Sequence, residues 1–248
     1  MSGRGDIAAL ILAAGEGTRM KSDLAKVLHR VAGKSMIVRV LGILKTAHPS
    51  RIVIVVGHQA DAVRGELEGE EVDFVLQEER LGTGHAAMMA EPALDGFEGT
   101  LLILNGDTPL LRPETLKGFI LSHHESGHEA TVLSAVLDRP AGYGRIVRGG
   151  SGEFLHIVEE KDALEEERLI REINSGIFCF ECPVFFQALD KMDRRNVQGE
   201  YYITDVMAIL KGMGKSVGVH LCDKKEEVLG INDRDQLLAA ERLLKENG

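Results

Sequence analysis

No stretch of about eighteen consecutive apolar residues occurs in this chain, so no segment is long enough to cross a bilayer as a helix. The opening residues Met1-Ser2-Gly3-Arg4-Gly5-Asp6 are polar and lack the apolar segment of a secretory leader. Cysteine is scarce: the count of three is odd, which argues against a disulfide framework and for a reducing, cytoplasmic setting. Basic charge is also in deficit. Lys and Arg number 29 against 39 Asp and Glu, and no basic stripe offsets the net charge of −10, so a nucleic-acid backbone is excluded as the main partner. Any phosphate ligand has to be held locally, by a few cations and a metal. Internal repeats, low-complexity tracts and long linkers are missing too, so residues 1–248 read as a single domain, large enough to bury a core without staples. The sequence leaves oligomeric state open.

What is present alternates between apolar runs and helical stretches. Strands are expected at Ile7–Leu12, Ile52–Val56, Val72–Leu76 and Leu101–Leu104, with amphipathic segments at 35–47, 59–68 and 83–94. Near-continuous Val/Ile/Leu strands separated by helices imply an α/β fold, a mostly parallel sheet covered on both faces. Pro113-Glu114 opens a further helix. The second half reads differently. A strand at Thr131–Leu137 is followed by a two-stranded arm, Ile146–Arg148 and Phe154–Val158 around Gly149-Gly150-Ser151-Gly152, a smaller β-hairpin elaboration. An acidic helix at Ala163–Leu169, a strand at Ile173–Phe180, a helix at Tyr202–Lys211 and a strand at Val217–Leu221 come next. The last helix, Asp233–Lys245, is capped by Asn232 or Asp233. This half is expected to elaborate a sheet edge and to wall a pocket.

The chain is organised around Leu10-Ile11-Leu12-Ala13-Ala14-Gly15-Glu16-Gly17-Thr18-Arg19-Met20 and its continuation to Lys26. A strand that gives way to a glycine-containing loop frees backbone N–H groups for an anion, and Arg19 and Lys26 add charge. Such a cradle at the carboxyl end of a first strand is where open α/β sheets place ligands. Two familiar phosphate loops are excluded by spacing. The dinucleotide fingerprint needs a third small residue where Met20 stands, and the Walker pattern needs glycine where Leu28 precedes Gly33-Lys34-Ser35. A nucleotide-phosphate site of a third kind is left, beside the simpler reading of a plain glycine turn.

Asn105-Gly106-Asp107 follows another strand directly, and a carboxylate there suits Mg²⁺ held against a nucleotide phosphate, since this ion takes few protein oxygens. The same letters fit a turn. Gln77-Glu78-Glu79-Arg80-Leu81-Gly82-Thr83-Gly84-His85-Ala86 also joins a strand to a helix. Its amide and close-approach glycines fit the edge of a nucleobase, or Thr83 caps the helix. His124-Glu125-Ser126-Gly127-His128 copies the zinc-protease letters, but Gly127 marks a helix end and separates the histidines. Cys179, Cys182 and Cys222 read as buried thiols.

Together with Lys26, Leu12-Ala13-Ala14-Gly15-Glu16-Gly17-Thr18-Arg19-Met20 resembles the opening of sugar-1-phosphate nucleotidyltransferases. The likeness narrows with Leu81-Gly82-Thr83-Gly84-His85-Ala86, Gly142-Tyr143-Gly144-Arg145-Ile146, Val158-Glu159-Glu160-Lys161-Asp162-Ala163, Asn174-Ser175-Gly176 and Gln198-Gly199-Glu200-Tyr201-Tyr202-Ile203-Thr204-Asp205. That ordered set, over roughly residues 6–245, resembles the uridyltransferase domain of the bacterial bifunctional N-acetylglucosamine-1-phosphate uridyltransferase/glucosamine-1-phosphate acetyltransferases. The resemblance implies a Rossmann-like sheet of the nucleotide-diphospho-sugar transferase type, without the family's acetyltransferase β-helix. It implies UTP plus N-acetylglucosamine 1-phosphate giving UDP-N-acetylglucosamine and pyrophosphate with Mg²⁺, a step toward peptidoglycan and lipopolysaccharide. By the same resemblance Leu12, Ala13, Ala14, Gly15 and Lys26 hold the nucleotide, and Gln77, Gly82 and Thr83 read uracil. Asn105, Gly106 and Asp107 line the substrate, Asp107 and Asn232 carry the metal, and Gly144, Glu159 and Asn174 bind the amino sugar. Arg19 steadies the departing pyrophosphate, and Arg19 and Lys26 are the catalytic cations. Ala25 stands where the family usually has proline, Asn105 where it commonly has an aromatic residue, and Ser175 where it has threonine. The alternatives are a sister enzyme with another sugar or nucleotide, and a non-catalytic nucleotide-sugar sensor on the same fold.

Overall fold

In β1 (Ile7–Ala13), Ala9, Ile11 and Ala13 face one hydrophobic core while Ala8 and Leu10 face another, as the period of two in a strand requires. A strand buried on both faces sits inside a covered sheet, and the computed structural model, which describes residues 5–246, places it there. A small antiparallel pair, β2 (Arg30–Val31) and β3 (Lys34–Ser35), comes next, then α1 (Met36–Lys45), with Ser35 accepting a hydrogen bond from the Val38 amide at its start. β4 (Arg51–Val56), α2 (Ala60–Glu66), β5 (Asp73–Leu76), α3 (Thr83–Met89), β6 (Thr100–Asn105) and α4 (Pro113–Ser126) continue the alternation. The second half adds β7 (Ala130–Val136), the hairpin β8 (Arg145–Arg148) and β9 (Phe154–Val158), and a short α5 (Glu165–Arg168). β10 (Glu172–Glu181), α6 (Cys182–Leu189), α7 (Asp205–Gly212), β11 (Val217–Leu221) and α8 (Arg234–Glu246) complete it.

The strand order is β11-β7-β10-β6-β1-β4-β5. From β1 the chain goes to β4 on one side and later returns to β6 on the other, so the direction of winding reverses at β1. That switch opens a crevice at the carboxyl ends of these strands. The register is level: Leu12 lies opposite both Val55 and Asn105, so the loops after β1, β4 and β6 start at one height. Helices α1, α2 and α4 cover one face, where Val40, Leu41, Leu116 and Phe119 pack on Ile11 and Ile54. Helices α3, α6 and α7 cover the other, where Ala87, Phe185 and Met207 pack on Leu10 and Val53.

The mostly parallel sheet with a hairpin elaboration is as the sequence leads one to expect, with two differences. β10 runs antiparallel and lies between β6 and β7, pairing Phe178 with Ile103 and with Val132. The second half therefore extends the main sheet instead of only decorating its edge. Helix α6 was not foreseen; its apolar residues follow β10 without a turn, and Pro183 starts it at a position that suits proline. Among the described residues no helix is long and apolar enough to cross a membrane.

Candidate active site

The phosphate loop takes its shape from Gly17, whose φ of 69° is left-handed and opens one 3-10 turn over Thr18–Met20. A Cβ at Gly17 would overlap the Cβ of Lys26, so only glycine lets the two turns approach. Lys26 begins a second 3-10 turn, Lys26–Leu28, anchored by buried Val27 and Leu28. Before it, Ala25 has φ −53° and ψ 137°, a conformation proline would accept, yet its N–H donates to Gln59 Oε1 at 2.8 Å. Proline gains chain entropy there and loses that bond. Ala25→Pro is therefore expected to change stability by less than about 0.5 kcal/mol in the unaltered chain, and to stabilise a Gln59→Ala background by about 0.4–1 kcal/mol, read from urea midpoints.

Asp107 follows β6 and is fixed by backbone bonds on both sides: the Gly106 N–H donates to Leu12 O and the Ile231 N–H to Asp107 O, each at 2.9 Å. A Cβ on Gly106 would come within 2.9 Å of Val27 Cγ1, so the floor beneath Lys26 also needs glycine. Asp233 caps α8 by accepting the Gln236 N–H at 2.8 Å, which leaves the Asn232 side chain to face inward. Arg234 ties the same helix start to the phosphate loop through Met20 O and Lys21 O. Four side chains from three segments thus form one chain of contacts. Arg19 Nη2 donates to Asn232 Oδ1 at 2.8 Å, Lys26 Nζ donates to the same oxygen at 3.1 Å, and Lys26 is ion-paired with Asp107. Tyr143 reaches Gly230 O at 3.5 Å, and burial, with the nearby Asp107 carboxylate, pushes its hydroxyl up to about 12, so it stays protonated.

Across the crevice, Gln77 is buried, its N–H donating to Val56 O at 2.8 Å. Its Nε2 donates to Gly82 O at 3.1 Å and lies 3.0 Å from His85 Nδ1, while no described donor reaches its Oε1. Gly82 has φ 108°, and a Cβ there would overlap Tyr201 O. Thr83 does not cap α3; its Oγ1 accepts the Ile203 N–H at 3.1 Å and so ties this loop to the segment after Glu200. Between the two loops lies a cavity of about 420 Å³, lined by Leu12, Ala13, Ala14, Gly15, Lys26, Gln77, Gly82, Thr83, Asn105 and Asp107. Glu16, Val27, Arg80, Ala86 and Glu200 line it as well, and the sequence reading did not single them out as site residues. Arg80 Nη1 stands 2.5 Å from Glu16 Oε1 across the mouth, and its guanidinium holds the Glu16 carboxyl below the usual carboxylate range.

Gly144, Glu159 and Asn174 form a second group beside this cavity. The Asn174 N–H donates to Gly144 O at 2.9 Å, and Asn174 Oδ1 accepts the Gly176 N–H at 2.8 Å. The register of β10 against β7 shifts between Asn174 and Phe178, a bulge in which Gly176 takes φ 78°; a Cβ on it would overlap the Asn105 amide. Bulges of this kind re-aim side chains, and here Asn105 joins the two groups. A Cβ at Gly144 would stand 3.4 Å from both Glu159 carboxylate oxygens, so glycine leaves that carboxylate open. Thr204 Oγ1 donates to Glu159 Oε1 at 2.9 Å.

Burial raises the Glu159 carboxyl above the ordinary range, and the nearby Asp162 and Glu200 charges add to it. The Asp205 carboxyl is pushed up to about 6, by burial first and then by Glu159, Asp193 and Asp162. A carboxyl raised on folding stabilises fully below its unfolded pKa of 3.8, and that contribution is lost as pH rises through about 6. Asp205→Asn is therefore expected to be near neutral at pH 4 and to stabilise the chain by about 1–2 kcal/mol at pH 8, a magnitude discounted for partial solvent access. Urea unfolding at the two pH values measures the difference.

Helix α4 ends at Ser126, Gly127 adopts φ 65°, and His128 lies beyond the helix, so the zinc-protease letters carry no site. All three cysteines are buried and free, and burial pushes the Cys179 and Cys182 thiols up, which makes them unreactive.

The chain is similar to known proteins over nearly all its length. It is 51% identical to the bifunctional protein GlmU of Geobacter metallireducens over 98% of this chain and 51% of that protein. It is 50% identical to the bifunctional protein GlmU of Syntrophomonas wolfei over 97% of this chain and 53% of that protein. With the bifunctional protein GlmU of Streptococcus suis the identity is 48%, over 96% of this chain and 51% of that protein. The chain thus spans about half the length of these curated relatives. The model of the MobA-like NTP transferase domain matches residues 9–173, from within β1 to the start of β10, and so takes in the loop after β1, the loop from Gln77 to Gly82, Asp107 and Glu159. With more than half of the chain inside that match, it belongs to the family of MobA-like NTP transferase domains.

Proposed function

We propose that this chain is an N-acetylglucosamine-1-phosphate uridyltransferase, converting UTP and N-acetylglucosamine 1-phosphate to UDP-N-acetylglucosamine and pyrophosphate. The observation that carries the reading is the contact chain Arg19–Asn232–Lys26–Asp107 at the sheet's switch point. It gathers cations from one loop and oxygen ligands from two others where a triphosphate enters. Similarity to GlmU proteins supports the choice among nucleotidyltransferases.

The donor set suits a hard divalent cation such as Mg²⁺. Asp107 and Asn232 offer carboxylate and amide oxygens, and a Cβ on Gly230 would stand 3.3 Å from Asp107 Oδ1, so glycine keeps the space clear. In the structure the Lys26 ammonium stands in as the cation that both oxygens contact. A bound Mg²⁺ would supply positive charge to the phosphate oxygens.

In the reaction a phosphate oxygen of the sugar phosphate bonds to the α-phosphorus of UTP. The bond from that phosphorus to the bridging oxygen breaks, and its electron pair leaves with pyrophosphate. The nucleophile is already an anion, so no general base is needed. Arg19 and Lys26 neutralise the crowded charge, and the loops hold both reactants in line. Both Nε2 protons of Gln77 face protein acceptors, His85 Nδ1 taking one in its accepting tautomer, so Oε1 is turned to the cavity as an acceptor. That matches the N3–H of uracil and opposes the lone pair at N3 of cytosine. Glu159, with Gly144 and Asn174 beside it, is suited to sugar hydroxyl groups; its raised pKa reflects burial.

Pyrophosphate release from N-acetylglucosamine 1-phosphate and Mg²⁺ with UTP, dTTP or CTP tests the reading. UTP is expected to be used best. CTP outpacing UTP, or no release with any of them, would overturn it.

A further inference from the structure

The charged lining of the cavity is Glu16, Lys26, Arg80, Asp107 and Glu200, three carboxylates against two cations. A site with an acidic surplus opposes the entry of a nucleoside triphosphate, which adds several negative charges of its own. Four of the five groups are held in two ion pairs, Lys26 with Asp107 and Arg80 with Glu16. A divalent cation at Asp107 would release Lys26 to phosphate. The other pair offers the same exchange by a different route. Glu16 lies in the phosphate loop between Gly15 and Gly17, and Arg80 lies in the base-side loop between Gln77 and Gly82, so their contact spans the mouth the nucleotide must pass. The Arg80 and Glu16 side chains are 47% and 44% exposed, and the guanidinium can turn without disturbing the core. An ion pair this exposed is weak, whereas the planar guanidinium fork matches phosphate oxygens with two parallel hydrogen bonds.

We propose that Arg80 is a further phosphate-binding residue, paired with Glu16 until a nucleotide arrives and then transferred to its triphosphate. The inference rests on the nucleotidyltransferase reading above. Glu16 then acts as a competitor for Arg80 and sets a threshold for nucleotide entry. The exchange concerns phosphate alone, so it leaves recognition of the nucleoside unchanged.

The test compares the unaltered chain with Arg80→Gln and Glu16→Gln, reading the KM for UTP, kcat, and inhibition by uridine, which has the base and no phosphate. Arg80→Gln is expected to raise the KM for UTP about tenfold, with kcat and the uridine inhibition constant each within about twofold. Glu16→Gln is expected to lower the KM for UTP about threefold. Arg80→Gln with an unchanged KM for UTP overturns the proposal. So does a parallel loss of uridine inhibition, which would make Arg80 only a brace for the base-side loop, and so does a raised KM in Glu16→Gln. An unaltered chain that neither turns over nor binds UTP is a separate result, seen before any variant is made, and it overturns the nucleotidyltransferase reading itself.

Discussion

Lys26→Ala is expected to lower turnover about 100- to 1,000-fold, the loss typical of one preorganised charge donor at a reacting centre. Among the described residues Lys26 is the cation paired with Asp107. Arg19 instead contacts Asn232. The Lys26 and Asp107 side chains are only 17% and 13% exposed, so the truncation also leaves a carboxylate short of its partner in a poorly solvated place. The stability cost should be about 1–2 kcal/mol, less than for a fully buried pair. Asp107→Asn separates the two effects. It keeps an acceptor for Lys26 while removing the charge proposed to hold a divalent cation. Both variants should lose activity, but Mg²⁺ should raise the melting temperature of the unaltered chain and of Lys26→Ala, and leave that of Asp107→Asn unmoved. Thermal unfolding with and without Mg²⁺ reads this directly. Near-normal turnover in both variants would remove the site assignment.

The parts of this site that could be read from the sequence are those in which local chemistry and local structure coincide. The phosphate loop announces itself because strand, glycines and cations are contiguous between Leu12 and Lys26. Asp107 does so because it ends a strand. Asn232 carries no such signal: it lies 206 residues from Lys26, and its place became known only through the family resemblance. It reaches the site because Ala240 of α8 and Ile231 just before that helix pack with Val31 of β2 and Met36 of α1, a long-range fact. Glu16 and Arg80 went unnoticed because exposed charges in loops usually mean only solvation; their pairing depends on how two loops converge. The antiparallel direction of β10 was illegible for another reason. A strand buried on both faces has the same composition whichever way it runs. Helix α6 was hidden because its apolar residues continue those of β10.

Among the described residues Arg145 is the largest side chain that is fully buried, and Arg145→Ala is expected to cost about 3–5 kcal/mol of stability. It lies on β8 opposite Val158 of β9 and Ile173 of β10, where the hairpin joins the main sheet. Its Nη2 stands 2.7 Å from Glu160 Oε2, its Nη1 donates to Tyr143 O, and Glu160 also accepts the Gly142 N–H at 3.1 Å. One guanidinium therefore fixes the loop that carries Gly144 to the turn after β9 that carries Glu159 and Glu160. Truncation leaves a cavity, an unpaired carboxylate and a carbonyl without its donor, three penalties at one place. Arg145→Met separates packing from positioning, because it restores much of the volume and none of the hydrogen bonds. It should recover more than half of the lost stability, measured by urea unfolding, while the KM for N-acetylglucosamine 1-phosphate stays raised about tenfold and that for UTP is unchanged. A methionine variant with normal affinity for the sugar phosphate would reduce Arg145 to a packing residue. A parallel rise in both constants would mean that the two halves of the pocket are one mechanical unit, with Asn105 and Gly176 as the contact that couples them.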